Sequence, residues 1–385
     1  MLRRLYRRAR PELADAYRRL LGSRLLTRDE LLANPPEGCR VFNFGAVEQY
    51  TFNRPRHTGP LPNAIAAKVG EWTVPKPFVA EITDATVIGP SPLVTVDKRI
   101  LLESTRGTYP RLLDSSVRAL AAGQLPVQTR FQRPTMRYDD PLFLFVGPWA
   151  TEYFHWITDY LVKVFSLEAY CERTGVDPLV LIPSDPPSWV LDSLSLAGIG
   201  SDRLREWSGG RAQAHQIIIG SARYRSSPKS GEYIYSPAAL KRLGERIRSA
   251  VTTNMDEGGR RLYVSRSDAP NRRVQNETDL LTVLDQYGFE RFVPGEHSFE
   301  EQVRRFAEAE TILGPHGAGL TNMIFSTDAK IIELFGSYEN ACFFTLARGI
   351  GFDYVSVSCE SDGSDIVVNP KAVKSLLAEL LSQHG

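Results

Sequence analysis

Short apolar runs alternate with longer amphipathic stretches from residue 141 onward. The runs at 141–146, 179–182 and 216–219 have the length and apolar content of buried strands. Between them, residues 151–173 and 192–197 carry apolar positions at helical spacing. Because strands that alternate with helices form parallel sheets with covered faces, this pattern predicts an α/β fold.

The alternation continues through the second half of the chain. It predicts helices at 237–251, 276–287 and 298–309, and strands at 261–265, 289–293, 310–313 and 329–335. Asn276 is a predicted N-cap, and Ser298 with Glu301 is a predicted capping box. A second α/β block is therefore expected after the first.

The region before residue 141 has a different pattern. Residues 34–140 combine proline-rich turns with short β-like runs, which favours strands and loops. Length and the alternation together predict two domains, with a boundary near 230–258.

Composition excludes some functions. The chain has 385 residues, is 42% hydrophobic and carries a formal net charge of +1, so a protein built mainly to coat nucleic acid is not expected. The sequence contains no run of 18 apolar residues, so it predicts no membrane-spanning helix. The four cysteines are widely separated and lack metal-ligand spacing, which fits a reducing compartment without a structural zinc site.

The amino-terminal stretch is unusually basic. Residues 1–33 contain nine arginines and four acidic residues, and they predict a basic amphipathic helix without the apolar core of a secretory signal. Two interpretations stay open: a solvated helix that caps the domain, or peripheral contact of residues 1–30 with anionic lipid headgroups. We expect a cytoplasmic protein, at the inner face of the membrane in the second case.

The dense glycine cluster at 314–322, Gly-Pro-His-Gly-Ala-Gly-Leu-Thr-Asn, follows a predicted strand and precedes a predicted helix. A strand, glycine turn and helix in this order point backbone N–H groups at an anion. A purely structural tight turn is the alternative. The candidate binding residues of this cluster are Gly314, His316, Gly317, Ala318, Gly319, Leu320 and Asn322.

Further polar residues lie where two other strands end. Arg266, Arg272, Arg273, Asn276 and Glu277 follow the strand at 261–265. Guanidinium groups at that edge can grip a diphosphate, although Arg272 and Arg273 can equally be solvated. In the strand at 329–335, Glu333 can accept hydrogen bonds from the ribose hydroxyls or form an ion pair with a nearby arginine. Together these residues predict a nucleotide-diphosphate pocket.

These motifs together resemble glycosyltransferase family 61. The similar segments are Tyr-Val-Ser-Arg at 263–266, Arg-Arg-x-x-Asn-Glu at 272–277, the glycine cluster at 314–322 and Glu-Leu-Phe at 333–335. The resemblance implies a GT-B fold, with two Rossmann-like domains and parallel sheets facing a cleft. It also implies inverting transfer without a bound metal or cofactor, from a nucleotide-sugar donor to a glycan or glycolipid acceptor.

On this basis the chain divides into four parts. Residues 1–33 are the basic helix, 34–235 an acceptor-side Rossmann-like domain, 236–367 the nucleotide-sugar-binding domain and 368–385 a carboxyl-terminal helix. A UDP-sugar is the expected donor, and bacterial capsule, lipopolysaccharide or exopolysaccharide synthesis the expected setting.

A second similar stretch supplies candidates for the reaction itself. His155 and Asp159 are one helical turn apart on the same face. Inverting transfer needs a base to deprotonate the acceptor hydroxyl. Asp159 with His155 orienting it is slightly favoured, the reverse order is open, and Glu152 is a third candidate base. A helix-packing His–Asp hydrogen bond is the structural alternative.

Two other function classes remain as alternatives. A catalytically inactive sugar-binding or scaffolding protein would keep the core and lose the site. A dinucleotide-dependent oxidoreductase would need a different glycine spacing. The acidic pairs near residues 139 and 362 do not lie at strand ends in the manner of metal-dependent transferases, so they predict solvated turns.

Overall fold

The structure, a computed structural model, describes four long ranges of the chain and some single positions. These are residues 24–105, 134–226, 233–251 and 259–381, with residues 12, 13, 16, 19, 113 and 115–117. Most of the predicted basic helix, and with it the predicted lipid contact, lies outside the described residues. Within the described ranges, no helix is long and apolar enough to cross a membrane.

The described end of the predicted 1–33 helix is not a single helix. Leu25–Leu26 form a strand and Arg28–Ala33 a separate short helix. Thr27 and Glu30 cap this helix reciprocally in a capping box, which separates it from the preceding residues.

Strands alternate with helices between residues 142 and 207 and between residues 233 and 358, as the pattern predicts, whereas several other strands follow one another directly. In chain order the strands are β1 (Leu25–Leu26), β2 (Cys39–Asn43), β3 (Glu48–Phe52), β4 (Arg56–Thr58), β5 (Gly70–Val74), β6 (Phe78–Ile88), β7 (Leu93–Val96), β8 (Arg99–Leu101), β9 (Met136–Tyr138), β10 (Leu142–Leu144), β11 (Leu179–Pro183), β12 (Leu204–Trp207), β13 (Arg211–Gly220), β14 (Tyr224–Ser226), β15 (Tyr233–Tyr235), β16 (Arg260–Val264), β17 (Phe289–Phe292), β18 (Ala309–Pro315), β19 (Lys330–Phe335), β20 (Asp353–Ser358), β21 (Glu360–Asp362) and β22 (Asp365–Val367). The α-helices are α1 (Arg28–Ala33), α2 (Asn63–Ala66), α3 (Tyr153–His155), α4 (Val164–Thr174), α5 (Ser188–Leu196), α6 (Pro237–Val251), α7 (Glu277–Leu284), α8 (Phe299–Ala307), α9 (Cys342–Ile350) and α10 (Pro370–Leu381).

The first unit comprises the described residues of 1–47 and 76–223. Its sheet has the order β1-β8-β7-β6-β13-β10-β11-β12, with β2 paired to β6 and β9 to β13. Strands β10, β11 and β12 are parallel, and β10 is also parallel to β13. The long β6 runs antiparallel to β13, so this sheet is mixed, whereas we expected a wholly parallel one.

The second unit comprises the described residues of 48–75 and 224–385. Its main sheet has the order β17-β16-β18-β19-β20-β4, and every pair in it is parallel. Helices α7 and α10 pack on one face of the sheet around Leu313, Ile332 and Leu334. The predicted α/β architecture with parallel strands is confirmed in this unit.

The units do not follow the predicted domain boundaries. Residues 48–75 fall within the predicted amino-terminal domain 34–235, but β4 pairs in parallel with β20 and the segment belongs to the second unit. The second unit then resumes at Tyr224, and α10 packs in its core. A sheet edge completed by a distant piece of chain leaves no local signal in the sequence.

At Gly244, helix α6 lies close to Ile324, which follows the glycine cluster. A Cβ at Gly244 would lie 1.8 Å from the carbonyl oxygen of Ile324. We expect Gly244→Ala to destabilise the second unit by about 1–3 kcal/mol, because overpacking against backbone outweighs the higher helix propensity of alanine. Thermal unfolding measures this, with the exposed Lys241→Ala on the same helix as the control. An unchanged midpoint for Gly244→Ala would contradict the close approach.

Candidate functional site

The second sheet has a topological switch point between β16 and β18. The chain leaves β16 for β17 on one side and returns to β18 on the other. In open α/β sheets, ligands bind outside the carboxyl ends of the strands at such a point. Here Arg266 follows β16, and His316 with Gly317 follows β18. The structure therefore brings the two main predicted motifs to one edge.

The glycines of the cluster allow close approach. A Cβ at Gly317 would lie 2.0 Å from Nη1 of Arg266, and one at Gly314 would lie 2.9 Å from the carbonyl oxygen of Val264. Gly317 itself has extended backbone, with φ −179°. These glycines are thus required because the arginine and the neighbouring strand lie against the backbone.

The helix predicted after the cluster is a 3₁₀-helix at Ala318–Phe325. Leu320 and Asn322 are fully buried in it, and Asn322 donates to the side chain of Gln302 at 2.8 Å. Ala318 and Gly319 stay half-buried. Asn322 consequently holds the segment against α8 and Leu320 is buried within the protein, whereas we expected both to contact the ligand.

Two arginines give this edge its positive charge. Arg266 is half-buried, and its Nε and Nη2 donate to the carbonyl oxygen of Asn271 at 3.4 and 3.2 Å. Burial, and next the charge of Arg272, lower the pKa of Arg266 to about 10, so it stays cationic at neutral pH. In the described part of the chain, neither guanidinium forms an ion pair with a carboxylate. The charges of Asp268 and Asp365 act on the pKa of Arg266 in the opposite direction to burial and Arg272. Two neighbouring guanidinium groups that form no ion pair suit an anionic ligand.

Arg272 is held in a fixed orientation. Its backbone lies in the left-handed region at φ +58°, and its N–H donates to the carbonyl oxygen of Ser364 at 2.9 Å. Its Nε donates to the side chain of Asn271 at 3.2 Å, and its guanidinium lies 4.7 Å from the centroid of the Tyr338 ring. A left-handed non-glycine residue that the surroundings fix is common at ligand sites.

Two of the predicted binding residues, Arg273 and Asn276, contact the protein itself and support the structure of the site. Arg273 pairs with Asp365 at 2.7 Å, and this contact raises the pKa of Arg273 and lowers that of Asp365. The side-chain amide of Asn276 donates to the carbonyl oxygen of Val368 and accepts from its N–H. Asn276 occupies the N-cap position of α7, but its side chain does not cap the helix because it is engaged with Val368. Both residues attach the loop before α7 to the β21–β22 hairpin.

Glu277 also faces the protein. Its carboxylate accepts hydrogen bonds from Tyr263 at 3.0 Å, from Ser265 at 2.5 Å and from Arg291 at 3.3 Å. Glu277 thereby fixes the end of β16, from which Arg266 projects.

Glu333 supports His316. One oxygen of this fully buried carboxylate lies 2.5 Å from Nδ1 of His316, and the other accepts from the Tyr354 hydroxyl at 2.5 Å. Burial, and then the charge of Glu333, raise the pKa of Tyr354 well above its usual range, so the hydroxyl stays protonated. Both carboxylate oxygens of Glu333 already contact protein side chains, so Glu333 does not make the ribose contact that we expected of it.

The first unit holds the other predicted pair. Nδ1 of His155 lies 2.8 Å from Oδ2 of Asp159. The His155 side chain is 17% exposed and that of Asp159 2%. The predicted helix is irregular at this point, because a π-turn spans Trp156–Tyr160 and a 3₁₀ turn Leu161–Lys163. Such π-turns occur often at functional sites.

Glu152, the third candidate base, is exposed and occupies the N-cap position of α3 without a side-chain cap. Trp149 precedes it with φ +62°, and its ring stacks on His155 at a centroid distance of 5.2 Å. This contact helps to fix the imidazole orientation.

Sequence reasoning missed several contributors to these sites. Tyr354 contacts Glu333, Asn271 contacts Arg266 and Tyr338 contacts Arg272. None of the three contacting residues belongs to a motif named in the sequence analysis. Parallel pairing of Glu333 with Ser356 puts Tyr354 on the same face of the sheet, which only the strand register reveals. Within the described ranges, no cluster of three or more His, Cys, Asp or Glu residues could hold a metal ion.

Comparison with known proteins assigns part of the chain to a family. The family model described as Glycosyltransferase 61 matches residues 153–332. This region is a glycosyltransferase family 61 region. The match begins two residues before His155 and includes Asp159, Arg266 and His316, and it ends just before Glu333.

Transferases from animals are also similar to part of this chain. The EGF domain-specific O-linked N-acetylglucosamine transferase of Gallus gallus is 27% identical over 106 residues, which are 26% of this chain and 20% of the relative. The protein of that name from Drosophila melanogaster is 34% identical over 96 residues, or 24% of this chain and 18% of the relative. The match thus spans about a fifth of the relatives' length. These relatives are animal proteins and lend no support to the expected bacterial setting.

Proposed function

We propose that this protein is an inverting glycosyltransferase that transfers a sugar from a UDP-sugar to an acceptor hydroxyl. The observation that carries the proposal is the pair Arg266 and Arg272, which both contact Asn271 at the switch point and form no ion pair with a carboxylate among the described residues. Arg272 and His316 line the same recess. The glycosyltransferase 61 match supports glycosyl transfer as the reaction class. GT-B architecture is part of the proposal.

The donor diphosphate binds at the carboxyl ends of β16 and β18. Negative charge accumulates on the diphosphate as the glycosidic bond breaks, and fixed guanidinium groups stabilise it without moving. His316, oriented by Glu333, adds a ring nitrogen to the same edge. Metal-independent transfer is consistent with this use of arginines and stays a prediction.

His155 acts as the base in this proposal. It is more exposed than Asp159, and a hydrogen bond from Nδ1–H to Asp159 leaves Nε2 as the basic nitrogen. Asp159 holds the tautomer and stabilises the imidazolium that forms when the acceptor hydroxyl loses its proton. This order reverses our slight preference for Asp159.

The acceptor is a hydroxyl group of a glycan or glycolipid. The relatives' names describe transfer of N-acetylglucosamine to EGF domains, which makes a protein hydroxyl the second candidate. Cytoplasmic location and polysaccharide synthesis remain predictions.

A donor and acceptor screen tests the proposal. Purified protein is incubated in EDTA with UDP-xylose, UDP-arabinose or UDP-N-acetylglucosamine and with glycoside or peptide acceptors. UDP release, product mass and the anomeric configuration by NMR are measured. We expect one UDP-sugar to give product with inverted configuration. Nucleotide binding without turnover across the panel would instead favour an inactive sugar-binding protein.

A further inference from the structure

Tyr338 is exposed at the proposed donor edge. The residue is 50% exposed, and the other exposed large hydrophobic residues in the described part of the chain are leucines and valines. It lies in the loop after β19, three residues beyond Phe335. The family match, which ends at residue 332, does not include it.

A recess lies beside this ring. Its lining includes Arg272, His316, Gly336, Ser337, Tyr338 and Ser364. The Tyr338 ring is 4.7 Å from the Arg272 guanidinium carbon and 5.3 Å from the His316 ring. A half-exposed aromatic surface therefore borders the Arg272 guanidinium and the His316 ring directly.

The loop that carries Tyr338 is anchored on both sides. The N–H of Ser337 donates to Ser361 at 2.7 Å, and Glu339 accepts from the N–H of Ala64 at 3.2 Å. A Cβ at Gly336 would lie 2.5 Å from Ile366, so this loop lies close against the β21–β22 hairpin. Anchoring lowers the entropy that binding costs, because the ring is already in place.

We infer that Tyr338 stacks on the nucleobase of the donor and is a binding residue of the nucleotide site. A nucleoside diphosphate combines an anionic part with a flat π system, and this edge offers guanidinium groups next to an exposed aromatic ring. Stacking of a base on an aromatic side chain is worth about 1–3 kcal/mol and tolerates different bases. The polar groups of Ser337 and Ser364 then lie where they can contact the base edge or the ribose. The inference rests on the proposed function, since it needs a nucleotide donor.

Calorimetric titration with two probes tests this role. UDP carries both parts of the ligand and inorganic diphosphate only the anionic part. We expect Tyr338→Ala and Tyr338→Leu to raise the Kd of UDP by about 5–150-fold, which corresponds to the stacking free energy above. The Kd of inorganic diphosphate should change by less than about 2-fold. Tyr338→Phe should bind UDP like the wild type.

The leucine and phenylalanine variants keep the result interpretable if the alanine variant folds poorly. Equal weakening of UDP and inorganic diphosphate would mean that Tyr338 acts only by holding Arg272, and would overturn the stacking. So would unchanged UDP binding in both Tyr338→Ala and Tyr338→Leu. A wild-type protein that binds inorganic diphosphate but not UDP overturns the inference, and one that binds neither probe contradicts the proposed function as well.

Discussion

Replacement of His155 by alanine is expected to lower kcat by about 10²–10⁴-fold, with little change in the Kd of UDP. The variant loses the ring that accepts the acceptor proton, while the donor residues Arg266 and His316 stay intact. Rates are measured as UDP release with saturating donor and acceptor. A loss confined to KM for the donor would contradict this assignment.

Asp159→Asn separates orientation from proton acceptance. The neutral amide does not stabilise the imidazolium, and its NH₂ group can donate to Nδ1 and favour the other tautomer, so the rate should fall although His155 remains. Glu152→Gln is the matched control, because Glu152 is exposed at the start of the same helical stretch. If Glu152→Gln is inactive and His155→Ala is active, Glu152 is the base and the assignment is wrong.

Replacement of Arg266 by alanine is expected to lower kcat/KM by about 10²–10³-fold. Arg266 is half-buried, lies over Gly317 and is fixed by the Asn271 carbonyl oxygen, so it is preorganised for charge that develops on the diphosphate. Arg266→Lys should recover only part of the activity, because lysine cannot reproduce the planar, bidentate guanidinium contact. Steady-state kinetics over a range of donor concentrations measures both variants.

Arg273→Ala provides a neighbouring control. Arg273 is already paired with Asp365 and secures the β21–β22 hairpin, so its loss should affect thermal unfolding more than kcat/KM. Equal kinetic losses in the Arg266 and Arg273 variants would contradict the distinction between a ligand-facing and a structural arginine.

The periodic elements of the second unit could be predicted from the sequence. Helix α6 has the predicted bounds, Pro237–Val251, and the predicted strands agree closely with β16 to β19. These segments have distinct apolar periods and clear caps, such as Ser298, whose side chain accepts from the N–H of Glu301. The order β17-β16-β18-β19 then follows the usual rules for crossovers.

Pairings between distant segments could not be predicted. Strand β6 contains Thr83 and Asp84, which look like a break between two short apolar runs, yet Phe78–Ile88 is one strand antiparallel to β13. Likewise β4 joins β20 across almost 300 residues of sequence. Strand direction and distant pairing depend on tertiary packing, which the local period does not encode.

The sequence predicts those residues of the site that directly follow the end of a strand. Arg266, Arg272, His316 and Gly317 share one edge because parallel strands end together. The sequence could not distinguish ligand-facing residues from those that support them. Arg273, Asn276, Glu277 and Glu333 have the same residue types as ligand contacts, and only their bonds to Asp365, Val368, Tyr263 and His316 show that they hold the edge in place.

The most direct measurement is calorimetric titration of UDP into the wild type and the Arg266→Ala/Arg272→Ala double variant, in EDTA. Arg304→Ala is the matched control, because Arg304 is half-exposed on α8 and pairs with Glu300. We expect the wild type and Arg304→Ala to bind UDP, and the double variant to bind it at least about 100-fold more weakly, since two charge-assisted contacts are lost. Equal UDP affinity in the three proteins would contradict the claim that the carboxyl ends of β16 and β18 bind the donor diphosphate.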